Sequence, residues 1–593
     1  MIIRCLYLTL IAAILLHPRA EAQGTSIVFE ITDLPPQTSM QDVGLRGGSK
    51  PLSWDKTLFF KGDKLPVKFP DTSTQVEYKY VIDNGESVIW ESIDNRKLKL
   101  SIEDKSVKKK WNKLDPIDIT KLPLINPDQL QEDFLLIEEM ILNVHPGTYR
   151  YNEKETITLA LSELKQKFSE PISIGEAYIA MSKLTATLKC DHTKVGFNNQ
   201  SQIVNAIIHE QSDKLPFTFK WFDKKMFIDM NASQHAALQR GTEVLSINGF
   251  SVKQIHDELI AYIAADGGTD GNREYKLNVE GYDFRYSAFD VFFPLAFPLH
   301  SKHFDLEVID TKKNKVDLQV AGMHREERAK VLASRYGDFP KTRDDMWTFE
   351  IQEGIGILTL NSFGLLGWKA MTLDYKKFLA EAFSELRKQN IDKLIIDIRK
   401  NNGGMDEMKD ELFSYLDFDP MLFSKIDREG RTRFTHFPES LRPYVQTWGN
   451  PWFFELEADR VEEDYFIFLE ARQNQSAATK KENYFQGKTS MLCGPANTSL
   501  AFYCARQFQQ LEIGPLIGEE TGGNLRDING GQILFLRLPK SGIEIDFPVM
   551  GSFTKGKIAD SGVIPDIQVL QSLEDFINHN DVQMHEAIKY MKK

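Results

Sequence analysis

Leu394-Ile395-Ile396-Asp397-Ile398-Arg399-Lys400-Asn401-Asn402-Gly403-Gly404 is an apolar run of strand type that ends in a glycine pair and opens a helical pattern over 405–416. Paired glycines between a strand and a helix let backbone N–H groups approach an anion with no Cβ in the way. A second stretch has the same form. Ser490-Met491-Leu492-Cys493-Gly494-Pro495-Ala496-Asn497-Thr498-Ser499 leads into a helix whose apolar face carries Ala501, Cys504, Ala505, Phe508 and Leu511. Strands and helices alternate from Trp347 onward, so residues 346–593 are predicted to form an α/β core with a mostly parallel or mixed sheet. Acyl hydrolysis needs a nucleophile, a base and N–H donors for the oxyanion, and Ser499 at a helix start with a Gly-Gly turn nearby meets two of these needs. Read locally, the segment favours Ser499 as a helix N-cap over a nucleophile.

Working outward, residues 213–320 hold short strands around Gly241-Thr242-Glu243-Val244-Leu245-Ser246-Ile247-Asn248-Gly249, followed by a helical run over 252–264. Residues 201–345 are therefore expected to form an α+β unit. Before them, Leu130, Phe134, Ile137, Ile141 and Val144 share one helical face, and Thr156 to Phe168 is a second amphipathic run, which makes 128–200 a helical lead-in. The charged, proline-containing stretch 105–127 reads as a linker. Residues 23–104 show alternating runs such as Ser26 to Ile31 and Gln75 to Ile82, punctuated by Pro35-Pro36, Gly47-Gly48 and Asn84-Gly85, the pattern of a small β-sandwich.

Residues 1–22 read as an export signal, with Arg4, an apolar run from Leu6 to Leu16, and Ala20-Glu21-Ala22 as the cleavage site. The expected location is periplasmic or secreted, and no later stretch is long and apolar enough to span a membrane. Of 593 residues, 72 are Lys or Arg and 85 Asp or Glu, a net charge of -13 that argues against nucleic acid as a partner. Signal removal leaves Cys190, Cys493 and Cys504, which read as buried thiols and not as a disulfide framework. No metal site is expected, because His209-Glu210 lacks a second His four residues beyond the first.

Taken in order, Phe363, the Leu394 to Gly404 run, the Ser499 segment, Leu516-Ile517-Gly518-Glu519-Glu520-Thr521-Gly522-Gly523 and Gly562-Val563-Ile564-Pro565-Asp566-Ile567 resemble the catalytic core of the C-terminal processing (tail-specific) serine peptidases. The resemblance extends from about Leu130 to Val569, through His145-Pro146-Gly147-x-Tyr149 and a PDZ-like middle around Arg240 to Ile255. It implies a multidomain chain with a ClpP/crotonase-like core, no cofactor, and a polypeptide substrate captured through its C-terminus. It also implies Ser499 as nucleophile, with the Leu500 N–H and Gly403 or Gly404 holding the oxyanion. One branch of that family pairs the serine with a lysine 25 residues later. Here that position is Asn524, and no Lys lies between Lys488 and Lys540. The other branch, which resembles the tricorn core, takes its base from ahead of the PDZ-like region, and Lys189-Cys190-Asp191-His192-Thr193 supplies His192. The branch's orienting Glu is missing, leaving Asp560 and Asp191 as alternatives for that role. The front module is similar to starch-binding modules of immunoglobulin-like fold, which implies Trp54 and Trp90 as sugar platforms with Lys79 and Asn95 on hydroxyl groups. The competing expectation for the whole chain is a catalytically weakened peptide- or glycan-binding protein on the same scaffold.

Overall fold

The computed structural model describes residues 25–35, 38–70, 74–85, 87–91, 95–100, 106–111, 117–281, 286–299, 301–337, 347–364, 373–419, 422, 428–447, 454–462, 465–468 and 480–593. Residues 1–22, read above as an export signal, with Cys5, and Ser92-Ile93-Asp94 of the front module lie outside them. The chain divides into two units, Met1–Ile117 and Asp118–Lys593.

In the first unit, Lys64–Phe69, Thr25–Thr32 and Ser106–Lys110 form one sheet. Leu58–Phe59, Val43–Gly47, Gln75–Asp83 and Val88–Trp90 form a second, with Arg96–Lys99 also paired to Gln75–Asp83. Strand alternation sends Ile27, Phe29 and Ile31 from one sheet and Val76, Tyr78 and Tyr80 from the other into a single core. The stretch 105–127 is not one linker. Ser106–Lys110 runs parallel to Thr25–Thr32 and buries Val107 and Trp111, while the lysines that suggested a linker belong to an edge strand, where charge discourages further pairing.

The second unit begins with helices. Asn126 caps Pro127–Glu139 and Ser173 caps Ile174–Thr187, each in a reciprocal capping box. A middle sheet follows in the order Phe217–Phe222, Lys225–Asn231, Glu243–Ile247, His303–Ile309, Lys315–Ala321. The C-terminal part holds a six-stranded sheet in the order Trp347–Gln352, Ile355–Leu360, Lys393–Asp397, Lys488–Cys493, Leu516–Gly518, Ile567–Gln568. Its first two strands form an antiparallel hairpin and all later pairings are parallel. Helices cover both faces. Leu358, Ile396 and Met491 pack with Ala501, Cys504 and Phe508 on one side, and Ile355, Ile395, Leu492 and Ile517 meet Ala587 and Met591 of the last helix on the other. Strands covered on both faces explain the unbroken apolar run at 394–396. A further sheet, built on Gly531–Arg537 and Glu544–Thr554, takes in the short strand Lys194–Val195 from the helical lead-in. No helix of the described residues is long and apolar enough to cross a membrane.

Candidate active site

The parallel strands Ile355–Leu360, Lys393–Asp397 and Lys488–Cys493 end on one edge of their sheet, the edge where α/β folds collect ligands. Two buried amides tie together the turns beyond those ends. Asn497 Nδ2 donates to the Ile398 carbonyl at 2.5 Å and the Asn401 carbonyl at 2.9 Å, while its Oδ1 accepts from the Gly494 N–H at 2.8 Å. Asn401 Nδ2 donates to the Leu360 carbonyl at 2.7 Å, and its Oδ1 accepts from the Gly403 N–H at 2.8 Å. The three strand ends become one rigid platform.

Ser499 opens the helix Ser499–Gln510 with φ +49°, a left-handed conformation that a non-glycine residue adopts only where its surroundings impose it. The N-cap is Thr498, and its hydroxyl donates to the Asn402 carbonyl at 3.3 Å without capping the helix. First-turn N–H groups have no partner inside a helix, and the Leu500 N–H has no acceptor among the described residues. Gly403 lies directly against this turn. A Cβ there would stand 2.7 Å from Ser499 Cβ and 2.8 Å from the Leu500 nitrogen. A Cβ on Gly404 would stand 1.9 Å from the Phe363 carbonyl, so both positions admit only glycine. Because the Gly403 N–H is held by Asn401, the Gly404 N–H is the uncommitted donor of the pair among the described residues. Gly404, Ser499, Leu500 and Gly530 line one cavity of about 410 Å³.

His192 follows the helix Ile174–Thr187 and is pinned on its C-terminal side by the pairing of Lys194–Val195 with Ile545 and Asp546. Behind it, His145 Nδ1 accepts from the Gly147 N–H at 3.2 Å, so Nε2 carries the proton and donates to Thr193 Oγ1 at 2.7 Å. Thr193 in turn donates to Cys190 Sγ at 3.4 Å. Cys190, Cys493 and Cys504 are buried and unpaired, and burial pushes the Cys190 thiol up to about 11. Gly530 stacks on the His192 ring, where an added Cβ would come within 3.1 Å of Cε1 and 3.2 Å of Nε2. Gly530 is therefore the wall shared by the imidazole and the cavity of Ser499. No hydrogen bond joins His192 to Ser499, and His192 Nδ1 is buried without a partner. Burial pushes the imidazole down to about 4, with the Asp191 charge pulling the other way.

Neither carboxylate expected to orient His192 does so. Asp191 gives its carboxylate to Lys276, lies 3.8 Å from Lys194 Nζ, and donates its N–H to Asp266 Oδ1 at 2.9 Å. Burial alone would raise that carboxyl, but the two ammonium groups hold it below the usual range. Asp560 is exposed, and its Oδ1 accepts from the Gly268 N–H at 2.9 Å and from Asn524 Nδ2 at 2.8 Å. The residue at the lysine position thus binds the carboxylate that stands near the place of the missing Glu. No local pattern in the sequence marks Asp266; its carboxyl is raised to about 7 by burial and by the Asp191 charge. His209 Nε2 meets the Phe197 carbonyl at 2.8 Å, and the ring stacks on Tyr286. Among the described residues no group of three or more His, Cys, Asp or Glu could hold a metal ion.

In the first unit, Trp54 and Trp90 stand outside the core, half-buried, with ring centroids 6.2 Å apart and planes 39° apart. Lys79 Nζ donates to the Glu91 carbonyl at 3.3 Å, and Asn95 is exposed.

A parallel sheet thus presents a left-handed serine at an uncapped helix start, with the Leu500 and Gly404 N–H groups free of acceptors among the described residues. Residues 354–569 match the model of peptidase family S41, and the chain carries a serine peptidase domain of that family. Over 79% of its length it is similar to the crystal structure of mature CPAF, covering 97% of that chain at 13% identity with a TM-score of 0.52. The structure of mature CPAF complexed with lactacystin is matched over 79% of this chain and 98% of that one, at 14% identity and a TM-score of 0.51. A photosystem II D1 C-terminal processing protease is similar over 77% of this chain and 98% of that chain, at 15% identity and a TM-score of 0.33. Among curated proteins none matches the chain.

The Asn497 amide makes a direct test of the platform. Asn497→Asp keeps the acceptor for Gly494 but turns an oxygen toward two buried carbonyls. Urea unfolding is expected to show a loss of at least about 2 kcal/mol, since each stranded buried group costs about 1–3 kcal/mol; wild-type stability would mean the amide bonds carry no load.

Proposed function

We propose that the chain is an exported serine peptidase that hydrolyses polypeptides through an acyl-enzyme. His192 takes the Ser499 hydroxyl proton as Oγ attacks the peptide carbonyl carbon, and the N–H groups of Leu500 and Gly404 hold the oxyanion. His192 then returns the proton to the departing amine, and a water deprotonated by the same imidazole releases the acyl group. The observation that carries this reading is the left-handed Ser499 at an uncapped helix start, facing one cavity with Gly404 and Leu500. Proton transfer requires Nε2 and Oγ to come within about 2.6–3.2 Å, and catalytic contacts commonly tighten only with substrate bound. Asp191 assists through its charge, which favours the imidazolium, and the position of its carboxylate is set by Lys276. The segment 1–22 supports export. End strands such as Lys315–Ala321 in the middle sheet support capture of an extended C-terminal peptide by strand addition.

Fluorophosphonate labelling separates this reading from that of a binding protein. Wild type is expected to label and Ser499→Ala to remain unlabelled, with peptide hydrolysis falling at least about 10³-fold; an unlabelled wild type, or a fully active Ser499→Ala, would sink the assignment.

The acid limb of kcat/KM reports the base. His192 acts as the neutral imidazole, and burial lowers its proton affinity, so activity is expected to persist below the ordinary histidine range and fall as pH drops through about 4. A limb near 6.5 would show a base that is not desolvated.

The placement of Trp54 and Trp90 outside the core also supports a glycan-binding role for the front module, since half-exposed indole faces suit the apolar face of a sugar. Titration with maltooligosaccharides is expected to change tryptophan fluorescence in wild type and not in Trp54→Ala. No response at millimolar ligand would leave the module a structural role.

A further inference from the structure

The cavity that holds Ser499 continues past the oxyanion donors and runs between two helices. Ser499–Gln510 gives Ser499, Leu500, Tyr503 and Gln507 to its wall, and Asp406–Ser414 gives Asp406, Lys409 and Asp410. Residues four apart stack on one helical face, so Tyr503 and Gln507 lie one and two turns beyond the serine. At about 1.5 Å per residue, Gln507 stands about 12 Å along the helix from Ser499, and its side chain leans back toward the helix start. The third wall is main chain, because Gly530, Gly531 and Gly551 present no side chain to the cavity. Leu500, Ile528 and Met550 supply apolar surface along its length. The proposed reaction uses the near end of this space and leaves the far end unassigned.

Most polar groups at the far end are committed. Lys409 is buried, and its Nζ donates to Asp410 Oδ1 at 2.7 Å and to Gln507 Oε1 at 3.0 Å. The Tyr503 hydroxyl donates to Asp527. An ammonium can only donate, so the bond from Lys409 fixes which way the Gln507 amide points, with its oxygen on the lysine and its Nε2 turned away. Gln507 is 4% exposed, yet its Nε2 has no acceptor among the described residues and is not sealed from the cavity that it lines. A bound acceptor would satisfy this donor, and the lysine behind the amide polarises it toward one.

The same wall decides what kind of acceptor fits. Lys409 faces two carboxylates, Asp406 and Asp410, so no positive excess is left to hold a carboxylate head. A lysine or arginine head brings only donors, and meets the Gln507 N–H groups with nothing to accept them. A neutral carboxamide supplies the missing acceptor without adding charge. Depth then favours glutamine over asparagine, whose shorter side chain falls short of the second helical turn.

We infer that the far end of this cavity is a specificity pocket for a glutamine side chain next to the scissile bond, with Gln507 Nε2 as the donor to its carbonyl oxygen. That the ligand is a substrate side chain rests on the peptidase reading; its chemistry rests on Gln507 and Lys409.

The test uses the full chain and fluorogenic peptides that differ only in carrying Gln, Asn, Glu, Leu or Lys beside the cleaved bond, in two sets, one for each side of it. In one of the sets wild type is expected to favour Gln over Leu and Asn in kcat/KM by about three- to tenfold, the scale of one hydrogen bond between uncharged groups. Gln507→Met keeps the length and removes the donor. It should bring the Gln to Leu ratio close to one, with continued cleavage of the Leu peptide showing that the site is intact. Gln507→Glu keeps the acceptor for Lys409 and puts a second acceptor where the N–H groups were, so preference should pass from Gln to Lys. The second readout is binding of the same peptides to Ser499→Ala by fluorescence anisotropy, alone and combined with Gln507→Met. Hydrolysis with no preference for Gln in either set, or a preference that Gln507→Met leaves unchanged, overturns the pocket and leaves the peptidase reading standing. Gln-selective binding that needs Gln507, with no hydrolysis of any peptide by wild type, supports the pocket and overturns the peptidase reading. Neither hydrolysis nor binding overturns both.

Discussion

The geometry around Ser499 depends on the carboxamide of Asn497. Parallel strands that end together release carbonyl and N–H groups from the sheet ladder, and buried backbone groups must find other partners. Asn497 takes three of them through its side chain, and its own carbonyl accepts the N–H groups of Gly522 at 2.9 Å and Gly523 at 3.0 Å. Asn401 repeats the arrangement one strand along. With the turns joined in this way, the left-handed Ser499 and the backbone of Gly404 have little freedom left. In the proposed reaction, donors held in place before the substrate arrives need no reorganisation, which is the larger part of what such a site contributes.

The proposed base comes from a distant part of the chain, rests against Gly530 in the wall of the Ser499 cavity, and is held by different forces. Lys194–Val195 is a strand in the sheet of the C-terminal part, His145 braces Thr193, and Asp266 and Lys276 fix Asp191. This enclosure keeps His192 neutral at ordinary pH and so ready to accept a proton, but it also weakens it as a base. The Asp191 charge partly restores proton affinity. The segment 264–272 makes this balance possible, because it contacts the base segment through Asp266 and the nucleophile turn through Asn272.

Much of this was legible along the chain. The unbroken apolar run at 394–396, the glycine pair after it and the helical face beginning at Ala501 are local patterns, and the structure places each in the expected element. The partners of the carboxylates were not legible. Asp191 looked available to His192 because the two are adjacent, yet its charge belongs to Lys276, 85 residues away. Asp560 looked displaced by one residue from a useful position and proved to be bound by Asn524 and Gly268. Nothing along the chain marks Gly530, because a loop glycine carries no pattern of its own, and its role comes only from the imidazole packed against it. In the first unit the lysines at 108–110 conceal an edge strand whose evidence is the pair Val107 and Trp111, which flank them four residues apart and so point to one face.

By itself the sequence determined the order of strands and helices, the two glycine-bearing turns, the serine at a helix start and the histidine after a helix. These follow from side-chain periodicity and backbone sterics, which act over a few residues. Only the tertiary structure decided that the Gly403 N–H is already bonded while the Gly404 N–H has no acceptor among the described residues, and that the His192 imidazole is desolvated. Hydrogen-bond partnership and proton affinity depend on which distant groups exclude water from one another, and chain order does not encode that distance.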